Sequence, residues 1–468
     1  MANAIAHDVQ LLLKSTGRVL TNWDRYTVSL DMFNVGQPWT FSLWYSEREQ
    51  SAWQTLQDEV KLGGKILFSI DGAPQLTGII EELSTPESRN GFSMVISGRD
   101  IAASALDWDA DPRTVVSNRP LGDVLELLFS QLGIAVDVVE SSAAREVQSR
   151  ARRGARATER STRRRAHRVD SSRPRPDETV WQVVQSLLDR LGLMAWVAPS
   201  AQGGLAIVVD VPAYDSPPLY QLERSARLTE TDRRLLETDL KCSIRGIPTV
   251  VYASGRAKRG DAPPARHRVQ YDVPGMANVP PGVIRAPTSG VANLSIDVLG
   301  ASIGPSLTSA GNPIAFNQEP TIVRPGVRII SERHEAPPAQ ATRRAYTNDQ
   351  LAAWSFVQNP LPPQPKYLHS SRAKNPSQGE REARRFMAKK MRNFRIYMGT
   401  LRGHGQEVNG TRRLFALNTM AHLRDTFRNI DEDMLITGCE FSGSRADGQR
   451  TRLTLGTKGA INLEPDPQ

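Results

Sequence analysis

From Lys65 to Asp100 the chain reads KILFSIDGAPQLTGIIEELSTPESRNGFSMVISGRD. Its apolar residues alternate with polar ones over three runs: Ile66, Phe68 and Ile70, then Leu76 to Leu83, then Phe92, Met94 and Ile96. A two-residue period is that of a strand with one buried face. Asp71-Gly72 and Asn90-Gly91 separate the runs, and both dipeptides tolerate the positive φ of tight hairpin turns. The stretch therefore predicts three antiparallel strands in succession. They end at Ser97-Gly98-Arg99-Asp100, where the pattern turns helical and a first domain boundary falls.

The residues ahead of this stretch have the same character. DVQLLLK at 8–14 reads as a strand. From Arg25 to Phe33, Tyr26, Val28, Leu30 and Met32 point one way and Arg25, Thr27, Ser29 and Asp31 the other. Trp39, Phe41, Leu43 and Tyr45 repeat the pattern, and Gln50 to Val60 reads as a short helix. Residues 1–100 thus supply about six short strands, enough for a small antiparallel barrel or sandwich.

Residues 101–225 predict an α/β module. Leu121, Val124, Leu127, Leu128 and Leu132 share a helical face, Gly133 ends the helix, and IAVDVV follows as a strand. The phrase recurs with Asp177 as N-cap, Val180 to Leu191 at helical spacing, Gly192, and the strands LMAWVA and LAIVVDV around Gly203-Gly204. Between the two phrases, Ala144 to Arg175 carries twelve Arg against Glu146, Glu159 and Asp170, a balance of +9. That equals the excess of the whole chain, 59 basic against 50 acidic residues, so the basic character belongs to this insert alone. The insert has no aromatic residue and no hydrophobic period, and predicts a disordered loop. Arg152, Arg153, Arg156, Arg163, Arg164, Arg165 and Arg168 are its candidate electrostatic contacts, for nucleic-acid phosphates or an acidic protein surface. A solvated loop with no partner is the plain alternative.

Farther along, LLETDLKCSIRGIPTVVYASG alternates again, Arg256 to Asn317 is rich in Pro, Gly, Ser and Ala, and Asn348–Val357 and Gly379–Met391 read as helices. Strand candidates then return at Ile396–Leu401, Leu414–Met420, Met434–Phe441 and Thr451–Leu455, with a hairpin at Asp447-Gly448. Ile436-Thr437-Gly438, that hairpin and Gly456 repeat weakly the order Leu76-Thr77-Gly78, Asn90-Gly91 and Gly98. The expected fold is α+β and β-rich: two similar small antiparallel β-barrels, an α/β module and irregular Pro/Gly-rich segments. The expected domains are a first barrel at 1–100, the module at 101–225 with its insert at 144–175, a discontinuous second barrel at 226–258 and 392–462, and an interface domain at 259–391. Two barrels per chain would let a trimer present six in a ring and so match a six-fold partner.

A strand, a "DG" turn, a strand with Thr77-Gly78, a polar loop and a strand running into "GRD" resemble the baseplate hub of Mu-like contractile phage tails, the tail protein P-like or late control protein D-like family. The helix ending in "LG", the "GGL" hairpin and the "RP" strand of TIVRPGVRIISE extend the resemblance with gaps over most of the chain. It implies a structural homotrimer joining the hexameric tail tube, or a tube-initiator protein, to the trimeric central spike. Baseplate wedge proteins would lie around it, and DNA or a tape-measure protein in its channel. It implies a place in the virion tail baseplate after assembly in the host cytoplasm. A typical hub of this kind lacks so basic an insert, so no role for it carries over.

Chemistry is sparse. Seven His are scattered without H-E-x-x-H, and there is no C-x-x-C, G-x-S-x-G or Walker A loop. Asp107-Trp108-Asp109-Ala110-Asp111 begins like a calcium loop, but Pro112 and Asn118 stand where Gly and Glu are needed, which leaves a helix-capping turn. His404 in GHG reads as a turn residue, and Glu81-Glu82 as opposite faces of a strand. Cys242 and Cys439 read as inward-facing small hydrophobes, with a late disulfide as the alternative. MANAIAHDVQ predicts no secretory signal, and no window reaches the ~18 apolar residues of a spanning helix. Neither enzyme nor cofactor is expected. The competing functions are a hub or spike with peptidoglycan-degrading activity and a nucleic-acid-binding protein acting through the insert.

Overall fold

The computed structural model describes residues 6–88, 91–114, 119–141, 168–169, 173–200, 202–226, 232–248 and 250–255, a series of short strands between 270 and 370, residues 383, 386–387, 389–390, 392 and 394–458, and 461. It divides into one unit of residues 1–241 with 395–459 and 465–468, and a second of 242–394 with 460–464.

The first unit is built on one 14-stranded sheet. Its amino-terminal half contains β1 (Val9–Leu13), β2 (Val19–Leu20), β3 (Trp23–Asp31), β4 (Pro38–Tyr45), β5 (Lys65–Ile70), β6 (Ala73–Ser84), β7 (Glu87–Ser88) and β8 (Gly91–Asp100), with helix α1 (Gln50–Glu59) between β4 and β5. The alternation becomes burial: Trp39, Phe41, Leu43 and Tyr45 are buried along β4, and Val9, Leu11 and Leu13 along β1. β5 and β6 pair antiparallel up to Ile70↔Ala73, so the loop is two residues long, and Asp71 (φ 50°) and Gly72 (φ 75°) take the positive φ this turn needs. A bulge between Ile80 and Glu82 breaks the period of β6. Glu81 and Glu82 are consequently both exposed, Glu81 on Arg99 and Glu82 accepting from Ser97 Oγ, instead of facing opposite sides.

The chain's carboxyl-terminal strands complete the sheet. Arg395–Arg402, Met420–Asp425, Ile430–Ser444 and Gly448–Thr457 join β14 (Tyr220–Arg224) and β15 (Glu237–Cys242). β3 pairs antiparallel with Ile430–Ser444 from Arg25↔Ser444 to Asp31↔Gly438, so the two halves share a continuous ladder. They also share one apolar core, from Leu11 and Phe68 to Tyr397, Phe441 and Leu453. Leu414–Met420 is not one strand: a strand ends at Leu414, another starts at Met420, and the Asn418 side chain between them receives the Ala213 amide and donates to Val211 O.

The α/β module lies in the same unit. Helices α2 (Ser104–Asp107) and α3 (Leu121–Ser130), strand β10 (Val136–Glu140), helix α4 (Val180–Leu191) and strands β12 (Met194–Pro199) and β13 (Leu205–Asp210) surround a second core. A two-residue pair, β9 (Arg119–Pro120) with β11 (Arg168–Val169), precedes α3. The buried face of α3 is Leu121, Val124, Leu125, Leu128 and Phe129. Phe129 and Leu125 displace the expected Leu127 and Leu132, which are only half-buried, because the larger ring sets the rotation of the helix. Thr179, not Asp177, caps α4: its hydroxyl accepts the Gln182 amide while the Gln182 side chain accepts the Thr179 amide, and Asp177 sits at φ 66° in the turn before it. The module's Gly203-Gly204 turn rests on the large sheet, where Lys14 Nζ donates to Gly203 O and Thr77 Oγ1 lies 3.0 Å from Gly204 O.

The second unit holds a four-stranded sheet ordered Ser331–Glu332, Arg343–Thr347, Val250–Gly255, Pro365–Ser370, and another ordered Ala301–Ser302, Ser295–Val298, Gly282–Arg285, Thr321–Val323. TIVRPGVRIISE contributes three short strands to it instead of one. The expected helix at Asn348–Val357 lies outside the described residues, as does the Asn90 half of the second turn.

Gly98 marks the tightest backbone approach. A Cβ there would lie 1.9 Å from Ile79 O and 3.0 Å from Glu81 N, both main chain. Gly98→Ala is expected to cost about 3 kcal/mol or more, because no rotamer change relieves a backbone clash. Urea unfolding of the purified variant measures it.

Candidate functional site

Two polar arrangements stand out in the first unit. The first joins the opposite ends of the chain within its buried core. His7 and His404 are 5 % and 0 % exposed, and their rings lie 5.1 Å apart. His7 Nε2 accepts the His404 amide (2.9 Å) and lies 3.0 Å from an Arg412 nitrogen, so its proton is on Nδ1, 2.6 Å from Asp71 Oδ2. The His7 amide donates to Gln449 Oε1 and Gln449 Nε2 returns a bond to His7 O. The Thr451 hydroxyl donates to Gly403 O (2.7 Å) and has no second proton, so His404 Nδ1–H donates to Thr451 Oγ1 (2.9 Å). His404 Nε2 is then bare and accepts the Tyr26 hydroxyl at 2.6 Å.

Both imidazoles are therefore neutral. Burial pushes His404 down to about 3 and also lowers His7, against the pull of Asp71. Burial raises the Tyr26 phenol. Asp71 is drawn up by burial, but the bonds from His7 and the Asp8 amide outweigh that and hold it below the usual carboxylate range. Every ring nitrogen and hydroxyl in the chain of bonds has a partner, and the Tyr26 and His404 side chains are closed off from solvent. Such an arrangement fastens β3, the Asp71-Gly72 turn and the Gly403–Gln406 segment to one another.

The second is the Gly98-Arg99-Asp100 junction between large sheet and module. The Arg99 guanidinium bonds Glu81 (2.7 Å) and Asp107 (2.7 Å), which raise its pKa. Asp100 is 2 % exposed, and its Oδ2 accepts the Gln37 amide at 2.7 Å, with the Gly36, Ala102 and Ala103 amides also facing the carboxylate. Burial nevertheless raises its pKa to about 6. The "GRD" phrase thus works as a joint: close approach, surface clamp and buried cap in three consecutive residues.

His404 lies in the two-residue bend between the strand ending at Arg402 and the one starting at Gly405, as a turn residue would, and its side chain is the buried partner of Tyr26. Cys242 is exposed, contrary to its inward reading, as the last residue of β15, where the alternation breaks and Lys241 and Cys242 are both exposed; Cys439 is buried, which raises its thiol pKa. Asp107 ends α2 and Asp111 accepts the Arg113 amide. Arg152, Arg153, Arg156, Arg163, Arg164 and Arg165 lie outside the described residues; Arg168 is in β11, opposite Pro120. Among the described residues no group of three or more His, Cys, Asp and Glu could hold a metal ion, and no helix is long and apolar enough to cross a membrane.

The structure is similar over nearly its whole length to the tail protein from Neisseria meningitidis MC58 (17 % identity, 99 % of each chain covered, TM-score 0.62). It is likewise similar to the 43 kDa tail protein of prophage MuSo2 from Shewanella oneidensis (12 % identity, 98 % of this chain and 100 % of that one, TM-score 0.57). Residues 9–100 match the family model of the N-terminal domain of the Mu phage baseplate assembly protein GpP-like family, which bears out the resemblance carried by Lys65–Asp100. No curated protein matches the chain.

Proposed function

We propose that this protein is a structural hub of the baseplate of a contractile phage tail or tail-like particle. The observation that carries the reading is the match of residues 9–100 to the baseplate assembly model, and the whole-length likeness of fold to tail proteins supports it. The working state is a homotrimer that presents six similar β units in a ring and joins a hexameric tail tube, or its initiator, to a trimeric central spike. Wedge proteins bind its periphery, and DNA or a tape-measure protein passes through its channel. The protein acts by rigid contact and not by catalysis, in keeping with histidines that are buried and bonded within the core. It assembles in the host cytoplasm and resides in the virion tail. The domain limits that go with this role are 1–100, 101–225, 226–258 with 392–462, and 259–391.

Light scattering after size exclusion tests the reading. A mass near three times 51.7 kDa that persists in high salt is expected. A chain that stays monomeric both alone and when mixed with its spike protein would overturn the trimeric hub.

A further inference from the structure

The Arg-rich insert is the largest feature the hub reading leaves without a use. The module around it is its electrostatic complement. Residues 101–141 and 176–226 carry thirteen Asp and Glu against four Arg and no Lys, a balance of −9, where Ala144–Arg175 carries +9. Asp107 and Asp111 pair with Arg99 and Arg113, but Asp109, Asp123, Glu126 and Asp137 are all exposed, and none of these four forms an ion pair among the described residues. Asp123 and Glu126 stand three apart on the outer face of α3, opposite the helix's buried Leu and Phe.

The chain returns from the insert at this face. It leaves β10 at Ser141 and re-enters as β11, paired with β9 directly ahead of α3. It then runs beside the 108–112 loop, where Arg173 Nε donates to Pro112 O (2.6 Å), the Ala110 amide to Glu178 O, and the Val180 amide to Trp108 O. At the head of that loop Trp108 is 65 % exposed, an indole face open to a guanidinium. Residues 142–167 could span about 80 Å if extended, far beyond the ~15 Å length of α3, so reach does not limit contact.

We propose that the Arg-rich insert docks in cis, laying its guanidinium groups on the acidic outer face of α3 (Asp123, Glu126) and on the Trp108-Asp109 loop of the same module. The insert then neutralises the module's surface charge and is withheld from other polyanions. The contact is made of exposed charge pairs, so it is sensitive to salt. It does not depend on the hub reading, since neither the trimer nor the tube enters the argument.

Limited trypsin digestion of the full-length protein, with cuts mapped between Arg150 and Arg165, tests it. In 50 mM salt the wild-type insert is expected to be cut slowly, and about tenfold faster in 0.5 M salt as the charge pairs are screened. The triple variant Asp109→Asn, Asp123→Asn, Glu126→Gln should be cut fast at both salts, and Trp108→Ala should fall between; circular dichroism checks that both keep the fold. Equal low-salt rates in wild type and triple variant would overturn the proposal in favour of a solvated loop. Protection that appears in both proteins only after duplex DNA is added would overturn it in favour of a nucleic-acid arm. The salt response of the wild type needs no substitution, so a variant that misfolds leaves the test standing.

Discussion

His404→Leu is expected to lower the stability of the protein by about 3 kcal/mol, the order of cost for a substitution that strands buried polar partners. The leucine fills much of the space, but the Tyr26 hydroxyl loses its acceptor and Thr451 loses one bond while keeping that to Gly403 O. Tyr26→Phe should cost less, about 1–2 kcal/mol, by leaving His404 Nε2 without a donor. The double variant should be less destabilised than the sum of the two, since removing both members of a buried pair strands neither. Chemical denaturation of the four proteins measures the coupling. Strict additivity would show that the Tyr26 bond holds nothing together.

The second large effect is on pH dependence, where His404 and Asp100 oppose each other. His404 is depressed to about 3 in the folded chain against 6.5 when unfolded. The unfolded state therefore binds more protons between those limits, and the stability His404 contributes is complete above pH 6.5 and lost as pH falls toward 3. Asp100 is raised to about 6 against 3.8. The folded state binds more protons in that window, so its contribution is complete below pH 3.8 and lost as pH rises through 6. Each slope is about 1.4 kcal/mol per pH unit, so the two nearly cancel between pH 4 and 6. With those two cancelling, the wild type is expected to lose stability only gradually there, through His7, which burial also holds below its ordinary value, and steeply below pH 4, where Asp71, Asp107 and Asp425, all held below the usual carboxylate range, add their own loss. Asp100→Asn keeps an acceptor for the Gln37 amide and removes one slope, so its stability should fall by about 2–3 kcal/mol from pH 6 to pH 4. Thermal melts across pH 3.5–7.5 read this directly. A variant whose stability changes with pH no more steeply than that of the wild type would show that Asp100 does not titrate in that range.

Much of the first unit was legible because its signals are local. Alternation along Trp39 to Tyr45 became burial, the Asp71-Gly72 dipeptide became a two-residue turn, and Gly133 and Gly192 ended their helices in the left-handed region. Where a local signal failed, a residue only a few positions away had overridden it. Phe129 turned α3 away from the face that five leucine and valine positions suggested, and Thr179 with Gln182 took the capping role from Asp177.

The buried network was not legible. His7 and Gln449 are 442 positions apart, Tyr26 and His404 378, and no spacing rule spans such separations. The sequence alone determined the strands, the turns, the helical module, the concentration of charge in one insert and the family resemblance, all of which depend on residues within a few positions of each other. Only the tertiary structure decided that β3 pairs with Ile430–Ser444, that a turn histidine is a core residue, and that Cys242 is exposed while Cys439 is buried. Those outcomes depend on which surfaces meet when the two ends of the chain close on one core, and burial sets the ionisation of a group only after that has happened.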